Sequence, residues 1–158
     1  MCPNQFQPGF TAWGSFAEYV GLRYADRNLV RVPGRINGTA AALLGCRIAT
    51  AYRGVVVQGR VAAGDWVAVH GCGGVGLAAV MIARACEAHV VAVDPDPAAR
   101  FLAQSLGADV VLDGDEDAEL ARALHETTGG GPHLSIDAIG HPAVVAASLR
   151  SLRPRGRH

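Results

Sequence analysis

The sequence predicts an α/β fold in which helices connect the strands of a parallel β-sheet. Half of the 158 residues are hydrophobic and the mean hydropathy is +0.21, which is enough apolar material for a core and excludes intrinsic disorder. From Asp65 onward, short apolar runs typical of buried strands alternate with segments of helical periodicity. A glycine-rich turn at 71–76 joins the first of these strands to the first of these helices. Buried strands joined by helices indicate parallel βαβ units.

The predicted elements follow in order along the chain. Residues 1–34 are expected to form short β-strands, at 14–20 and 29–32. Residues 36–57 are rich in Ala and Leu and predict two short helices, with breaks at Gly45 and Gly54. Strands are then predicted at 66–70, 89–93, 109–112 and 133–138. Helices are predicted near 75–87, 97–106, 117–127 and 142–152.

Charge and composition exclude several functional classes. The 14 basic residues, all arginines, balance 14 acidic residues, which argues against a nucleic-acid partner. Without any lysine, a lysine base or Schiff base is excluded. The four arginines of the C-terminal tail are expected to be a solvated helix end, at 150, 153, 155 and 157.

No membrane segment and no targeting signal are predicted. Residues 66–83 carry no charge, but four glycines and His70 interrupt the run, which favours a strand, a turn and a helix over a membrane span. The first residues offer neither a basic nor an apolar leader. The four cysteines have no paired spacing, so we expect a reduced, cytoplasmic chain.

The motif that carries chemistry is Gly71-Cys72-Gly73-Gly74-Val75-Gly76, which satisfies the dinucleotide-binding pattern G-x-G-x-x-G. It follows a predicted strand and opens a predicted helix, and Asp94 ends the next strand 18 residues beyond Gly76. Gly71 permits a tight turn, Gly73 lets the backbone approach a pyrophosphate, and Gly76 lets the helix pack close to the strand. The helix N-terminus supplies N–H donors to the phosphates. The sequence thus predicts a partial Rossmann fold, a doubly wound sheet with four of its six strands.

Asp94 also indicates which dinucleotide is bound. A carboxylate there can accept hydrogen bonds from both ribose hydroxyls and repels a 2′-phosphate, and Asp96 adds a second negative charge, so NAD is favoured over NADP. Arg100 could reach a 2′-phosphate but is more simply a solvated side chain. The alternative is a glycine-rich turn of another α/β protein. A methyltransferase-type sheet usually has an acidic residue just before its loop, where this chain has His70.

Two stretches, Gly45–Tyr52 and Gly64–Gly76, resemble the zinc-dependent alcohol dehydrogenases of the medium-chain dehydrogenase/reductase superfamily. Gly14–Tyr19 is similar to a strand of their GroES-like catalytic domain. The resemblance covers essentially the whole chain and implies two parts. Residues 1–46 would be a β-rich, C-terminal remnant of the GroES-like domain, and residues 47–158 a truncated NAD-binding Rossmann domain. The chain is then expected to be a central fragment.

The resemblance also implies roles for individual residues. Cys46 corresponds to the third protein ligand of the catalytic zinc, and Cys2 to a ligand of the structural zinc. Thr50 and Val75 correspond to residues that contact the nicotinamide ring. The remaining cofactor-binding positions are Gly71, Gly73, Gly74, Gly76, Asp94 and Ile139. In the family, zinc acts as a Lewis acid that lowers the pKa of the alcohol, and the alkoxide passes hydride to the nicotinamide.

The chain departs from this family pattern in its zinc ligands. A catalytic zinc needs about three protein ligands, and the family's other two lie upstream of the region that matches Cys2. The six histidines are expected to be exposed or to lie at strand ends. Judged by this chain alone, Cys46 is expected to be a small buried apolar residue, and Cys72 and Cys86 to be packing residues.

The sequence therefore predicts a fragment of an NAD-dependent, zinc-dependent alcohol dehydrogenase that converts an alcohol/aldehyde pair and is inactive as an isolated chain. The alternatives are a non-catalytic dinucleotide-binding remnant and a zinc-independent relative of the quinone reductases. The fourth strand, Leu134 to Ala138, is expected to have an unpaired edge through which the chain self-associates. Residues 1–34 are expected to be the most mobile part.

Overall fold

The computed structural model describes residues 3–114 and 117–158, apart from the side chains of residues 117 and 118. The chain divides into two compact units, Met1–Asn37 and Gly38–His158. The boundary predicted from the resemblance, after residue 46, stays a prediction.

The first unit holds one short helix, α1 (Ala25–Asn28), and an isolated backbone bridge between Pro8 and Ala12. Its described residues form no β-strand, so the strands predicted at 14–20 and 29–32 are wrong. The physical reason is that alternation alone does not make a strand. A strand needs a neighbour that accepts and donates its backbone hydrogen bonds, and none runs beside these residues within the described part of the unit.

The second unit begins with one helical segment that spans Gly38 to Gln58. It consists of α2 (Gly38–Leu43), a π-helical turn (Leu44–Ile48), α3 (Ala49–Tyr52) and a second π-helical turn (Arg53–Gln58). The predicted breaks at Gly45 and Gly54 are therefore wrong. Both glycines are absorbed into wider π-helical turns, which tolerate an extra residue without ending the helix.

This helical segment contacts the core through a single stripe. Ala51 and Val55 are buried and Ile48 is half-buried, at the spacing of one helix face. By length and composition alone, Gly38–Gln58 is also apolar enough to cross a membrane, whereas residues 66–83 are a strand, a turn and a helix as predicted. The stripe fixes the segment against the next helix of the unit.

A strict alternation of strands and helices follows. The strands are β1 (Trp66–His70), β2 (His89–Val93), β3 (Val110–Leu112) and β4 (Leu134–Asp137). The helices are α4 (Gly74–Ala85), α5 (Pro97–Ser105), α6 (Asp117–Thr128) and α7 (Pro142–Ser151). All strand pairs are parallel, and their order is β3-β2-β1-β4. This is the partial, doubly wound, Rossmann-like sheet that the sequence predicts.

The core lies on both faces of the sheet and is built from small residues. Successive strand residues point to opposite faces, so both faces of the central strands are buried. One face packs against α4 and includes Val67, Val69, Val90, Ala92 and Ala79. The other face packs against α6 and includes Ala68, Val91, Val93, Leu120 and Leu124. The carboxyl ends of all four strands then meet at one edge of the sheet, where the candidate site lies.

The outer edge of β4 is not fully unpaired, which corrects the prediction of an open fourth-strand edge. The Ser135 N–H donates to the Arg157 carbonyl at 2.9 Å, and the Arg157 N–H donates to the His133 carbonyl at 2.9 Å. These two bonds are the pattern of one parallel strand pair. Self-association through this edge stays a prediction.

In the arginine tail, Arg150, Arg155 and Arg157 are exposed, as predicted for a solvated helix end, whereas Arg153 is half-buried. The Arg153 guanidinium contacts the His133 ring, and the Arg157 guanidinium lies 3.9 Å from the Asp65 carboxylate. The return of the chain alongside β4 brings these two arginines next to residues that lie far away in the sequence.

Candidate functional site

The glycine loop after β1 is shaped by close packing at two positions. Gly71 has φ +90°, a left-handed conformation, and a Cβ there would lie 2.5 Å from Cγ1 of Ile139. A Cβ on Gly76 would overlap the Gly71 carbonyl oxygen. The Gly71 N–H donates to the Val93 carbonyl at 2.8 Å, which ties the loop to β2. Glycine is thus required at both positions, for the turn and for the approach of α4 to β1.

The loop leaves the N-terminus of α4 available to an anion. Gly73 is the residue before the helix, no described side chain caps the helix there, and a Cβ on Gly73 would meet nothing within 4 Å. The first turn of α4 carries no acidic residue. An uncapped N-terminus presents backbone N–H groups and the positive end of the helix dipole. This arrangement suits a phosphate group.

Arg47 lies beside the same loop, and sequence reasoning missed it. Its Cδ and Nε atoms lie 2.6 Å from the point that a Cβ of Gly74 would occupy, so the side chain fills the space that the glycine leaves. The first π-helical turn carries Arg47 and packs against α4. No local pattern signals this contact, because it depends on how two helices pack. A positive charge thus stands at the edge of the loop.

The Asp94 carboxylate is held at the end of β2 by two backbone donors. The Cys72 N–H donates to Oδ2 at 2.7 Å, and the Asp96 N–H donates to Oδ1 at 2.9 Å. A carboxylate has about four acceptor positions, so each oxygen retains room for a further donor. The side chain is therefore oriented by the glycine loop and still able to accept two hydroxyl groups.

Arg100 is not the solvated side chain that the sequence predicts. Its Nη1 donates to the carbonyls of Asp94 at 2.6 Å and Pro95 at 2.8 Å, and lies 3.2 Å from the Asp113 carboxylate. The side chain is only 20% exposed. Arg100 thus stabilises the backbone around Asp94 by two hydrogen bonds and also forms an ion pair with Asp113.

Cys72 contributes its backbone rather than its thiol. Burial, and secondarily the Asp94 carboxylate, raise the pKa of the Cys72 thiol to about 11. The thiol therefore stays neutral at physiological pH and adds no negative charge to a loop that is suited to anions. Cys72 is buried, as predicted for a packing residue, and Cys86 is half-buried.

A cavity of about 250 Å³ lies near the carboxyl end of β4. Thr50 and Val75, the two residues that the resemblance assigns to the nicotinamide ring, both line it, together with Ile136 and Asp137. They lie 25 positions apart and meet because α3 packs on α4. The structure thus brings these two residues to one surface.

A second cavity, of about 280 Å³, lies next to Asp94 at the same edge of the sheet. Its lining is mostly apolar and comprises Val93, Pro95, Gly114, Leu120, Ile139, Val144 and Ala147, with His70 and His141. Ile139 therefore lines a cavity beside the loop. An apolar pocket with a few polar groups is typical of a small-ligand site.

His70 lies at the end of β1, as predicted, but its environment is unusual for a histidine. It is 1% exposed, and its Nε2 has no hydrogen-bond partner. Burial lowers the pKa of His70 to about 4, although the Asp137 carboxylate acts in the opposite direction. The ring is therefore neutral at physiological pH. The sequence predicts the position of His70 at the strand end but not its burial, which depends on the tertiary structure.

The described residues do not fit a zinc site. Cys46 is exposed, so the prediction that it is buried is wrong: it lies off the Ile48–Ala51–Val55 stripe that contacts the core. Within 3–114 and 117–158, no three His, Cys, Asp or Glu side chains converge as metal ligands would. Cys2, the predicted structural-zinc ligand, lies outside the described residues.

Three comparisons place this chain among known proteins. It is 33% identical to an alcohol dehydrogenase of Geobacillus stearothermophilus over 156 residues, which is 99% of this chain and 45% of that protein. The solved alcohol dehydrogenase of Thermus sp. ATN1 is 33% identical, with a TM-score of 0.84 over 95% of this chain and 44% of that chain. A quinone oxidoreductase of Pseudomonas syringae is 29% identical, with a TM-score of 0.71 over 83% of this chain and 40% of that one.

The chain thus spans less than half the length of these relatives. Residues 74–158, from α4 to the end of the chain, match the zinc-binding dehydrogenase family. This match covers more than half of the chain, and the alcohol dehydrogenases that resemble it extend the similarity to nearly all of it. The chain therefore belongs to the zinc-binding dehydrogenase family of the medium-chain dehydrogenase/reductase superfamily, and it is similar to part of an alcohol dehydrogenase.

Proposed function

We propose that this chain forms the NAD-binding part of an alcohol dehydrogenase that transfers hydride between an alcohol/aldehyde pair and the nicotinamide ring. The observation that carries the proposal is the pairing of the uncapped α4 N-terminus with the Asp94 carboxylate, which the Cys72 N–H holds in place. One group suits a pyrophosphate and the other suits ribose hydroxyls. Their juxtaposition at the carboxyl edge of a parallel sheet matches the chemistry of a dinucleotide.

The remaining contacts extend along the same edge of the sheet. The cavity beside Asp94 would take the adenine, and the cavity that Thr50 and Val75 line would take the nicotinamide. Arg47 adds a positive charge where the phosphates would lie. The bound cofactor supplies hydride transfer, and the residues of this chain bind it, orient it and exclude water around the ring.

Cofactor choice follows from charge at Asp94. A 2′-phosphate would meet this carboxylate, and Arg100 is already engaged by Asp113 and two carbonyls, so it offers little compensation. We infer that NAD(H) is preferred to NADP(H).

The test is calorimetric titration of the purified chain with NADH and with NADPH. In Asp94→Ser, the ratio of the NADH affinity to the NADPH affinity should fall by about tenfold. Removing one like charge near the 2′-phosphate changes the binding free energy by about 1.4 kcal/mol. Glu119→Gln on α6 removes an exposed charge away from the loop and should leave the ratio unchanged. Tighter binding of NADPH than NADH to the unmutated chain would contradict the role of Asp94.

The described residues assign no group that activates the alcohol. Cys46 is exposed and belongs to no group of three potential metal ligands among the described residues, so we infer that the isolated chain oxidises no alcohol with NAD and added zinc. Zinc-dependent turnover by the 158-residue chain that disappears in Cys46→Ala would overturn this inference. We also infer a cytoplasmic location, because the cysteines have no paired spacing.

A second candidate is a quinone-reductase-like oxidoreductase without zinc. The similarity to the Pseudomonas quinone oxidoreductase favours it. The coding region upstream of Met1 distinguishes the two. Further Cys and His codons at the spacing of zinc ligands would support the alcohol dehydrogenase, whereas their absence would support the quinone-reductase-like enzyme.

A further inference from the structure

His70 is an unusual residue for the position that it occupies. Its Nε2 is the one buried side-chain nitrogen or oxygen without a partner among the residues that the structure describes. Leaving such a group unpaired costs about 1–3 kcal/mol, which an apolar side chain of similar shape would avoid. Its neighbours in the sheet are Val69 in β1, Val93 in β2 and the Asp137 carboxylate in β4, and none of them is a hydrogen-bond partner of Nε2. Packing alone therefore does not account for a histidine here.

The surroundings of His70 indicate what could pair with it. The residue lines the cavity of about 280 Å³ beside Asp94, whose other walls are mainly apolar side chains such as Val93, Ile139 and Val144. His141, the other histidine of the lining, is exposed, and its Nδ1 already accepts a hydrogen bond from the Ala143 N–H at 3.3 Å. A ligand in this cavity would thus find one unsatisfied polar group in an apolar wall.

We propose that His70 Nε2 forms a hydrogen bond with the purine ring of the dinucleotide and makes this chain selective for adenine. The proposal rests on the proposed function and deepens it, because the cavity adjoins Asp94, the residue assigned to the ribose next to that base. A flat apolar base would cover the cavity walls, while its ring nitrogens or 6-amino group would satisfy the imidazole. His70 is then a specificity-determining residue of the cofactor site.

The protonation state of His70 suits this role. Burial keeps the imidazole neutral above a pKa of about 4, so one ring nitrogen donates and the other accepts. A neutral imidazole can therefore pair with either a ring nitrogen or an amino group of a base. The hydrogen bond would form against a mostly apolar wall, where pairing a buried polar group contributes most to binding.

The experiment is calorimetric titration of the full chain with AMP and four analogues. These are the 1-deaza, 3-deaza and 7-deaza forms and the purine ribonucleotide that lacks the 6-amino group. In the unmutated chain, one analogue should bind about tenfold more weakly than AMP, because it lacks the partner of His70. In His70→Phe, AMP itself should bind about tenfold more weakly, and the difference between AMP and that analogue should vanish.

A matched variant and a direct measurement complete the test. His125→Gln on α6 replaces a histidine that does not line the cavity and should leave the analogue difference unchanged. In the unmutated chain labelled with ¹⁵N-histidine, AMP should shift the Nε2 resonance of His70, which tests the contact even if His70→Phe does not fold. A purely structural role for His70 would move neither the analogue difference nor this resonance.

The possible outcomes separate the two proposals. Equal binding of AMP and all four analogues by the unmutated chain, a difference that persists in His70→Phe, or an Nε2 resonance that AMP leaves unmoved would overturn the role of His70 and leave the cofactor site standing. Failure of the unmutated chain to bind both AMP and NADH would overturn both proposals.

Discussion

The two units of this chain use apolar residues in opposite ways. In the first unit, large aromatic side chains are exposed to solvent. Trp13 is 96% exposed, and Phe10, Phe16 and Tyr19 are each more than four-fifths exposed. In the second unit, the core consists mostly of Val and Ala, and many of these residues are completely buried. Large apolar side chains therefore do not make a core by themselves. The parallel sheet does so, because it satisfies its backbone internally and presents two faces for helices to cover.

The largest expected effect that tests this comparison is in amide hydrogen exchange. Amides of β1 and β2 should exchange at least about a thousandfold more slowly than amides of residues 3–37, because the former open only with the core and the latter have few backbone hydrogen bonds. Exchange followed by NMR would measure this ratio. If amides of the first unit were as strongly protected from exchange as those of β1, the proposed difference in packing between the two units would be wrong.

The second test substitutes one glycine in each unit. Gly76→Ala should destabilise the second unit by about 3 kcal/mol or more, because the added Cβ overlaps the Gly71 carbonyl oxygen and the backbone must move. Gly21→Ala, in the first unit, adds a Cβ that meets nothing within 4 Å and should change little. Urea unfolding of both variants measures the difference.

A control for Gly76→Ala lies in the same loop. Gly73→Ala also has open space for its Cβ and should leave the urea midpoint within about 0.5 kcal/mol of the unmutated chain. If Gly73→Ala and Gly76→Ala were equally destabilising, the loop would be sensitive to any side chain, and the close approach at Gly76 would not be the reason.

The smallest effect concerns pH and the buried His70. Its pKa is near 6.5 in the unfolded chain and about 4 in the folded one, so the unfolded chain binds more protons between these values. Stability should therefore fall as the pH drops below 6.5, by about 2 kcal/mol at pH 5, until the loss is complete near pH 4. His70→Phe should remove this part of the dependence, whereas His125→Gln on α6 should retain it. A flat pH profile of the unmutated chain would show that His70 is not buried as described.

The sequence by itself determined the parts of this protein that depend on local pattern. The alternation of apolar runs with helical periodicity predicts all four strands of the sheet to within one or two residues. The observed order β3-β2-β1-β4 is that of the Rossmann fold, which the glycine motif predicts. The spacing of Gly71, Gly76 and Asp94 predicts the loop and the carboxylate beside it, because each position has a steric or charge requirement that few residue types meet.

Only the tertiary structure decided the rest, because these features depend on residues that are distant along the chain. The pattern at 14–20 has no neighbouring strand with which to pair, so it stays irregular. Arg47 reaches Gly74 through the packing of two helices, and Arg157 reaches β4 through the return of the tail. His70 has the same sequence neighbours whether it is exposed or buried. The layers that cover the carboxyl end of β1 remove it from water, and that burial leaves its ring neutral and without a partner.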